Sequence, residues 1–248
     1  FLLCLFFSSC STKKNIVYLQ NLNFSENFEF KYSQYKLKVD DILKIDFSSE
    51  FPEAVQIFNS VSLTANTISN TKDNLIFNGY KIDSDGFISV PSIGSVKAVD
   101  MTISELKDIL YGEIINKGLM TSIHIDVKLL NQHFTILGEV NNPGRHEFLK
   151  NNLNIIEAIG IAGDLTINGK RNDIKLLREK NGVLNVSSYD LTSNKIFESD
   201  YFQIFSGDII IVNPNTNRIK NAGIIGNSGT LVSLLSFLLS SIIIINNN

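Results

Sequence analysis

Residues 134–166 read FTILGEVNNPGRHEFLKNNLNIIEAIGIAGDLT and leave the backbone little choice. Residues 134–140 are apolar and β-branched enough for a buried strand. Asn142-Pro143-Gly144-Arg145 then puts Pro second and Gly third in a four-residue turn. A type II turn demands that order, because its third residue must take a positive φ. Residues 145–149 return as a second strand. Asn154 follows as the N-cap of a short helix, with Glu157 placed to reach back to it and Gly163 placed to end it. The order is strand, tight turn, strand, helix.

The rest of the chain mixes the same elements and predicts an α+β fold. Residues 35–47 (YKLKVDDILKIDF) alternate apolar and polar on both sides of Asp40-Asp41, which predicts two strands. The pattern recurs at Ser206-Gly207-Asp208-Ile209, where a glycine stands at the position of Asp40. Residues 80–90 (YKIDSDGFISV) predict a hairpin turning at Asp83-Ser84-Asp85-Gly86, with a further short strand at 93–96. The D-x-D-G run invites a calcium reading, but the other ligands of such a loop are absent from the sequence and turn chemistry is favoured. Thr102-Ile103-Ser104-Glu105 is a capping box. Ile103, Leu106, Leu110 and Ile114 line one face of the helix it starts, and Gly118 stops it. Strands are expected at 123–130, 174–178, 183–191 and 208–212.

Several kinds of chemistry are excluded. The net charge is only −3 and no basic patch is interleaved with aromatics, so nucleic acid is not expected as a partner. Both cysteines, Cys4 and Cys10, lie in the first ten residues, which rules out a disulfide framework or a cysteine zinc site in the folded part. His124, His133 and His146 lack metal-ligand spacing and read as strand histidines. No Ser/His/Asp set, nucleotide-binding loop or paired-carboxylate motif stands out, so neither an enzyme nor a cofactor is expected.

Gly138-Glu139-Val140, Pro143-Gly144, the helix around Glu157-Ala158-Ile159 and Ala162-Gly163 resemble the soluble-ligand-binding β-grasp (SLBB) repeat of outer-membrane polysaccharide export proteins. The family often has a second glycine where this chain has Asp164. Residues 35–47 resemble the opening of the family's export domain, with Val39 and Asp40 in place of the Pro and Gly of its turn. The resemblance implies an export N-terminal domain at 35–131 and an SLBB domain at 132–214, with Gly138, Pro143 and Gly144 at the SLBB turn.

Residues 1–9 read as the end of a secretory signal. Phe7-Ser8-Ser9-Cys10 resembles a bacterial lipobox, which would make Cys10 the lipidated residue and 10–34 a tether between membrane and fold. Ser11 after the cysteine, in lipoproteins of this kind, favours delivery to the outer membrane. Residues 222–245 carry no charge over about 24 positions, and as a helix would extend about 36 Å, which predicts a transmembrane helix. Gly226, Gly229, Ser233, Ser236 and Ser240 fall on one stripe of it, suited to helix packing or to a hydrated pore wall. A simple single-span anchor is the alternative.

By resemblance, the protein is expected to be an outer-membrane lipoprotein with its soluble domains in the periplasm. It would form a homo-oligomeric ring that exports capsular or extracellular polysaccharide. It would work with an inner-membrane polysaccharide co-polymerase or tyrosine-kinase-type partner. The alternatives are a membrane-anchored saccharide-binding module and a structural adaptor of another envelope secretion system.

Overall fold

The computed structural model describes residues 16–23, 25, 27–30, 32–58, 76, 78–180, 182–199, 202–215 and 228–246. Two apolar cores organise them, one before and one after Gln132.

In the first lobe β1 (Ile42–Ser48) lies between β2 (Tyr80–Lys81) and β5 (His124–Leu129), antiparallel to both. Alternation puts Leu43, Ile45 and Phe47 on the buried face, directly opposite Leu129, Val127 and Ile125. A one-residue slip would turn both sets to solvent, so register and core are a single choice. Helix α1 (Ile103–Asn116) packs on β5 through Leu106, Leu110 and Ile114. Its capping box forms as expected: Glu105 N–H donates to Thr102 Oγ1 at 3.2 Å, and Thr102 N–H to the Glu105 carboxylate at 2.7 Å.

Residues 80–90 correct the expected hairpin. The turn at Asp83 forms, but its flanking strands go to different partners. β2 joins β1, whereas β3 (Phe87–Val90) pairs with β4 (Gly94–Lys97). Asp83 Oδ1 accepts the amides of Asp85 and Phe87 at 3.0 and 2.8 Å, which is the turn chemistry the sequence favoured over calcium. Likewise, of the two strands expected around Asp40-Asp41 only the second forms. The first run stays extended, with Leu37 exchanging backbone bonds with Met101 and Asp100.

The second lobe is one five-stranded sheet in the order β7-β6-β10-β8-β9. These strands are β6 (His133–Gly138), β7 (Gly144–Glu147), β8 (Gly169–Lys180), β9 (Val183–Tyr189) and β10 (Ile209–Pro214). β6 and β10, the lobe's first and last strands, run parallel at its centre. Helix α2 (Ile155–Ile161) buries Ile155, Ala158 and Ile159 in the second core. Its N-terminus carries the predicted cap: Glu157 N–H donates to Asn154 Oδ1 at 2.9 Å. Asp164, standing where a second glycine is common, takes the left-handed φ of 72°.

The expected tether over 10–34 is corrected where it is described. Leu19 and Gln20 donate backbone bonds to Leu191 and Thr192. Tyr18 donates its hydroxyl to Asp164 and lies 5.1 Å from the Arg171 guanidinium. Burial, reinforced by the Asp164 bond, pushes the Tyr18 phenol up to about 12. Phe28 and Phe30 pack on Phe197, and Phe30 stacks on Phe202 at 5.1 Å. Isolated aromatics have no period to read in sequence, and their partners lie some 170 residues downstream.

The last element is α3 (Ser228–Asn246), 19 residues long. The transmembrane helix expected over 222–245 is not found: among the described residues no helix is long and apolar enough to cross a membrane. α3 extends about 28 Å at 1.5 Å per residue, and residues 222–227 of the expected span lie outside the described residues. It is not a core helix either. Val232, Phe237, Leu238 and Ile245 are all more than half exposed.

Candidate functional site

The sequence-predicted residues do not form one site. Cys10 and Gly226 lie outside the described residues. Gly229, Ser233, Ser236 and Ser240 share one stripe of α3. Ser236 donates its hydroxyl to Val232 O and Ser240 to Ser236 O, each at 2.8 Å, so these protons are satisfied within the helix. That arrangement suits apolar surroundings. Gly138, Pro143 and Gly144 are architectural. Gly138 (φ 94°) ends β6 and Gly144 (φ 139°) starts β7. The loop between them is tied to the end of α2, with Asn141 N–H donating to Asp164 O and Asn142 N–H to Ala162 O. His146 Nε2 lies 2.8 Å from Asn142 O, and His133 Nδ1 lies 2.9 Å from Asn131 O.

One cavity lies elsewhere, at the opposite end of β6, roughly 20 Å along the strand. It is a cleft of about 400 Å³ between the lobes. Two turns of the same design lie beside it and reach its lining through Tyr35 and Phe205. Asp40 and Gly207 take left-handed φ values of 69° and 89°. The aspartate after each accepts a backbone amide three residues back: Asp41 Oδ2 from Lys38, Asp208 Oδ2 from Phe205, both at 2.8 Å. The carboxylate then holds a long side chain. Tyr35 donates its hydroxyl to Asp41 at 3.0 Å, and Arg178 grips Asp208 with Nε at 2.9 Å and Nη2 at 2.6 Å. The Tyr35 and Phe205 rings meet across the lobes, centroids 6.1 Å apart. Arg178 lies over the other ring, 4.5 Å from the Phe205 centroid. Gln203 fixes the connecting segment, accepting from Ser33 N–H at 2.8 Å and donating to Ser33 O at 3.0 Å.

The lining is uncharged. Tyr32, Phe148 and Phe205 supply aromatic surface, while Gln34, Asn151 and Asn152 supply amides and Ser104 a hydroxyl. Gln132, where one core gives way to the other, also lines it. Its side chain is buried, and no group among the described residues donates to its Oε1. Among the described residues no cluster of His, Cys, Asp and Glu could hold a metal.

Sequence inspection finds the two aspartate turns but not that they face each other. Gln132 carries no local signal at all. The buried Asp41 also gives a pH test. Burial, its largest influence, raises its carboxyl above the usual range, with the Lys38 amide and Tyr35 opposing. A raised folded value means stability present at low pH and lost as pH rises through it. Asp41→Asn is therefore expected to gain stability relative to wild type between about pH 4 and pH 7. Urea unfolding at the two pH values measures this. A constant difference would mean that Asp41 folds without a protonation cost.

Residues 31–130 match the family model described as polysaccharide biosynthesis/export protein. No curated protein matches the chain.

Proposed function

We propose that this chain, which carries a polysaccharide biosynthesis/export domain at residues 31–130, is one subunit of an oligomeric conduit for capsular or extracellular polysaccharide in the outer membrane. The domain match supports a role in polysaccharide export, and it is the observation that carries the proposal. The family is one of transport, in keeping with a protein that moves its substrate without transforming it. The second lobe's strand order, with first and last strands parallel at the centre and a helix over one face, supports the β-grasp SLBB reading. Lipid on Cys10 would hold the lobes at the periplasmic face. An inner-membrane co-polymerase or tyrosine-kinase-type partner would supply and drive the glycan.

α3 supports assembly. A helix that exposes Val232, Leu234, Leu235, Phe237, Leu238 and the isoleucines at 242–245 is not stable alone in water. Neighbouring copies or lipid must cover it. The stripe of Gly229, Ser233, Ser236 and Ser240 allows close approach of a second such helix.

Light scattering and negative-stain imaging of the detergent-extracted full-length protein test the proposal. A closed ring of several copies is expected, and a monomer would remove the conduit. Replacing Ser233, Ser236 and Ser240 together by Leu is expected to break the ring into smaller particles and cut surface polysaccharide at least about tenfold, with the urea transitions of the lobes unchanged. Wild-type particle size and export in the triple variant would exclude the stripe as a contact.

A further inference from the structure

We infer that the two edges of the second lobe's sheet pair between copies, β9 of one chain against β7 of the next. The partner at this surface is thus a second copy of the chain. The sheet ends in β7 on one side and β9 on the other, and among the described residues no strand lies beyond either. β9 (VLNVSSY) has none of the devices that keep an edge single: no charged residue, no proline, and no register shift against β8. Val183, Leu184 and Val186 are each more than half exposed. Alternation sends Val183 to one face and Leu184 and Val186 to the other, so apolar surface is open on both faces at once. A helix laid on the sheet would cover one face only. A further strand covers both, and it also pairs with the backbone groups that an edge turns outward.

Topology selects the strand that fits. β7 runs antiparallel to β6, β6 parallel to β10, β10 antiparallel to β8, and β8 antiparallel to β9. β7 and β9 therefore point in opposite directions. Two copies set side by side in the same orientation bring β9 against β7 as an antiparallel pair, the more stable arrangement. Pairing of β9 with a second β9 would need one copy turned over. The faces also agree. Arg145, Thr135, Ile209, Leu177 and Val186 form one row across the sheet, each the register partner of the next, and the row runs on into the neighbouring copy. The β7 ladder extends to Phe148, whose N–H donates to Gln132 O at 3.2 Å. Leu149 comes next, on the face of Arg145 by alternation, and is 86 % exposed. Setting it opposite Leu184 of the neighbour puts Glu147 opposite Val186 and Arg145 opposite Ser188. No like charges meet, because β9 carries none. Every copy holds both halves of this contact, at opposite ends of one sheet. Contacts between two different patches close into rings or run on as filaments. That this one closes rests on the ring proposed above; the pairing of the edges does not.

The test is cross-linking of full-length protein in detergent with a short bis-maleimide. Leu149→Cys combined with Leu184→Cys is expected to give a ladder of dimers, trimers and larger species on a denaturing gel. Each single variant is expected to match wild type, whose own Cys4 and Cys10 set the background. Adding Val186→Lys to the double variant is expected to cut the ladder at least about tenfold with the urea midpoint unchanged, because a charge on an exposed edge position blocks pairing without entering the core. Ile167→Lys, at an equally exposed apolar residue away from both edges, is expected to leave the ladder intact. No ladder from the double variant, or a ladder that Val186→Lys does not reduce, overturns the pairing. Strong dimers from Leu184→Cys alone also overturn it, since β9 would then pair with itself. Imaging of the same samples separates this contact from the conduit. A closed ring without a ladder leaves the ring and removes the edge contact. A ladder without a closed ring leaves the edge contact and removes the ring.

Discussion

Gly138→Ala is expected to destabilise the second lobe by about 4 kcal/mol or more, the largest effect of any single substitution considered. Two independent costs add at this residue. Its φ of 94° lies where an L side chain is strained. Its Cβ would also overlap the carbonyl oxygen of Val212, the residue opposite it where β6 and β10 run parallel. That oxygen cannot yield easily, because it accepts the Glu139 amide at 3.1 Å. Gly144→Ala is the control. Its φ of 139° imposes backbone strain, but a Cβ there meets nothing within 4 Å, so a loss of only about 1–2 kcal/mol is expected. Urea unfolding followed by near-ultraviolet circular dichroism, read from the tyrosines of a chain without tryptophan, measures both. Equal losses at the two glycines would show that β10 shifts to make room.

Arg178→Ala is expected to cost about 3–5 kcal/mol. The two-pronged grip of Arg178 on Asp208 is the most enclosed ion pair among the described residues, with side chains 11 % and 1 % exposed. Removing the arginine strands a buried carboxylate and frees the Gln203 carbonyl, which Arg178 Nη2 contacts at 2.6 Å. The Phe205 amide remains as the carboxylate's partner, so the loss is large without being total. Arg178→Met with Asp208→Asn should recover a good part of it, because neither charge is then buried alone and the asparagine oxygen can still accept from Phe205. A double-mutant cycle in urea gives the coupling. Additive losses would mean that the pair's contribution is packing of the guanidinium over Phe205 rather than charge.

Local elements were legible in sequence wherever a signal sat within one turn or one strand. Both capping boxes, at Thr102 and Asn154, form with the partners their spacing predicts. The left-handed residues at Gly118 and Gly163 are where the helix stops were expected, whereas the type II turn expected at 142–145 does not form: Gly144 (φ 139°) opens β7, and residues 139–143 make a longer loop. Asp40 shows why a missing glycine did not cost the turn. Aspartate tolerates φ 69°, and Asp41 behind it still caps the Lys38 amide. The misreadings share a cause. Residues 80–90 look like one hairpin because alternation tells which face a residue takes and says nothing of which strand it pairs with. The segment around Tyr18 and Phe30 looks like a tether because its contacts are made to residues 164–202.

The sequence by itself determined the α+β class, the capped helices, the turn glycines and the resemblance to polysaccharide export proteins. These depend on hydrogen bonds and φ values set within a few residues. Only the tertiary structure decided which glycine is indispensable, since Gly138 and Gly144 differ in what the far end of the lobe places beside them. It alone brought the two aspartate turns face to face and buried Gln132 Oε1 without a donor among the described residues. Those features depend on surfaces meeting across more than a hundred residues of chain, and no local pattern of side chains encodes where such surfaces come together.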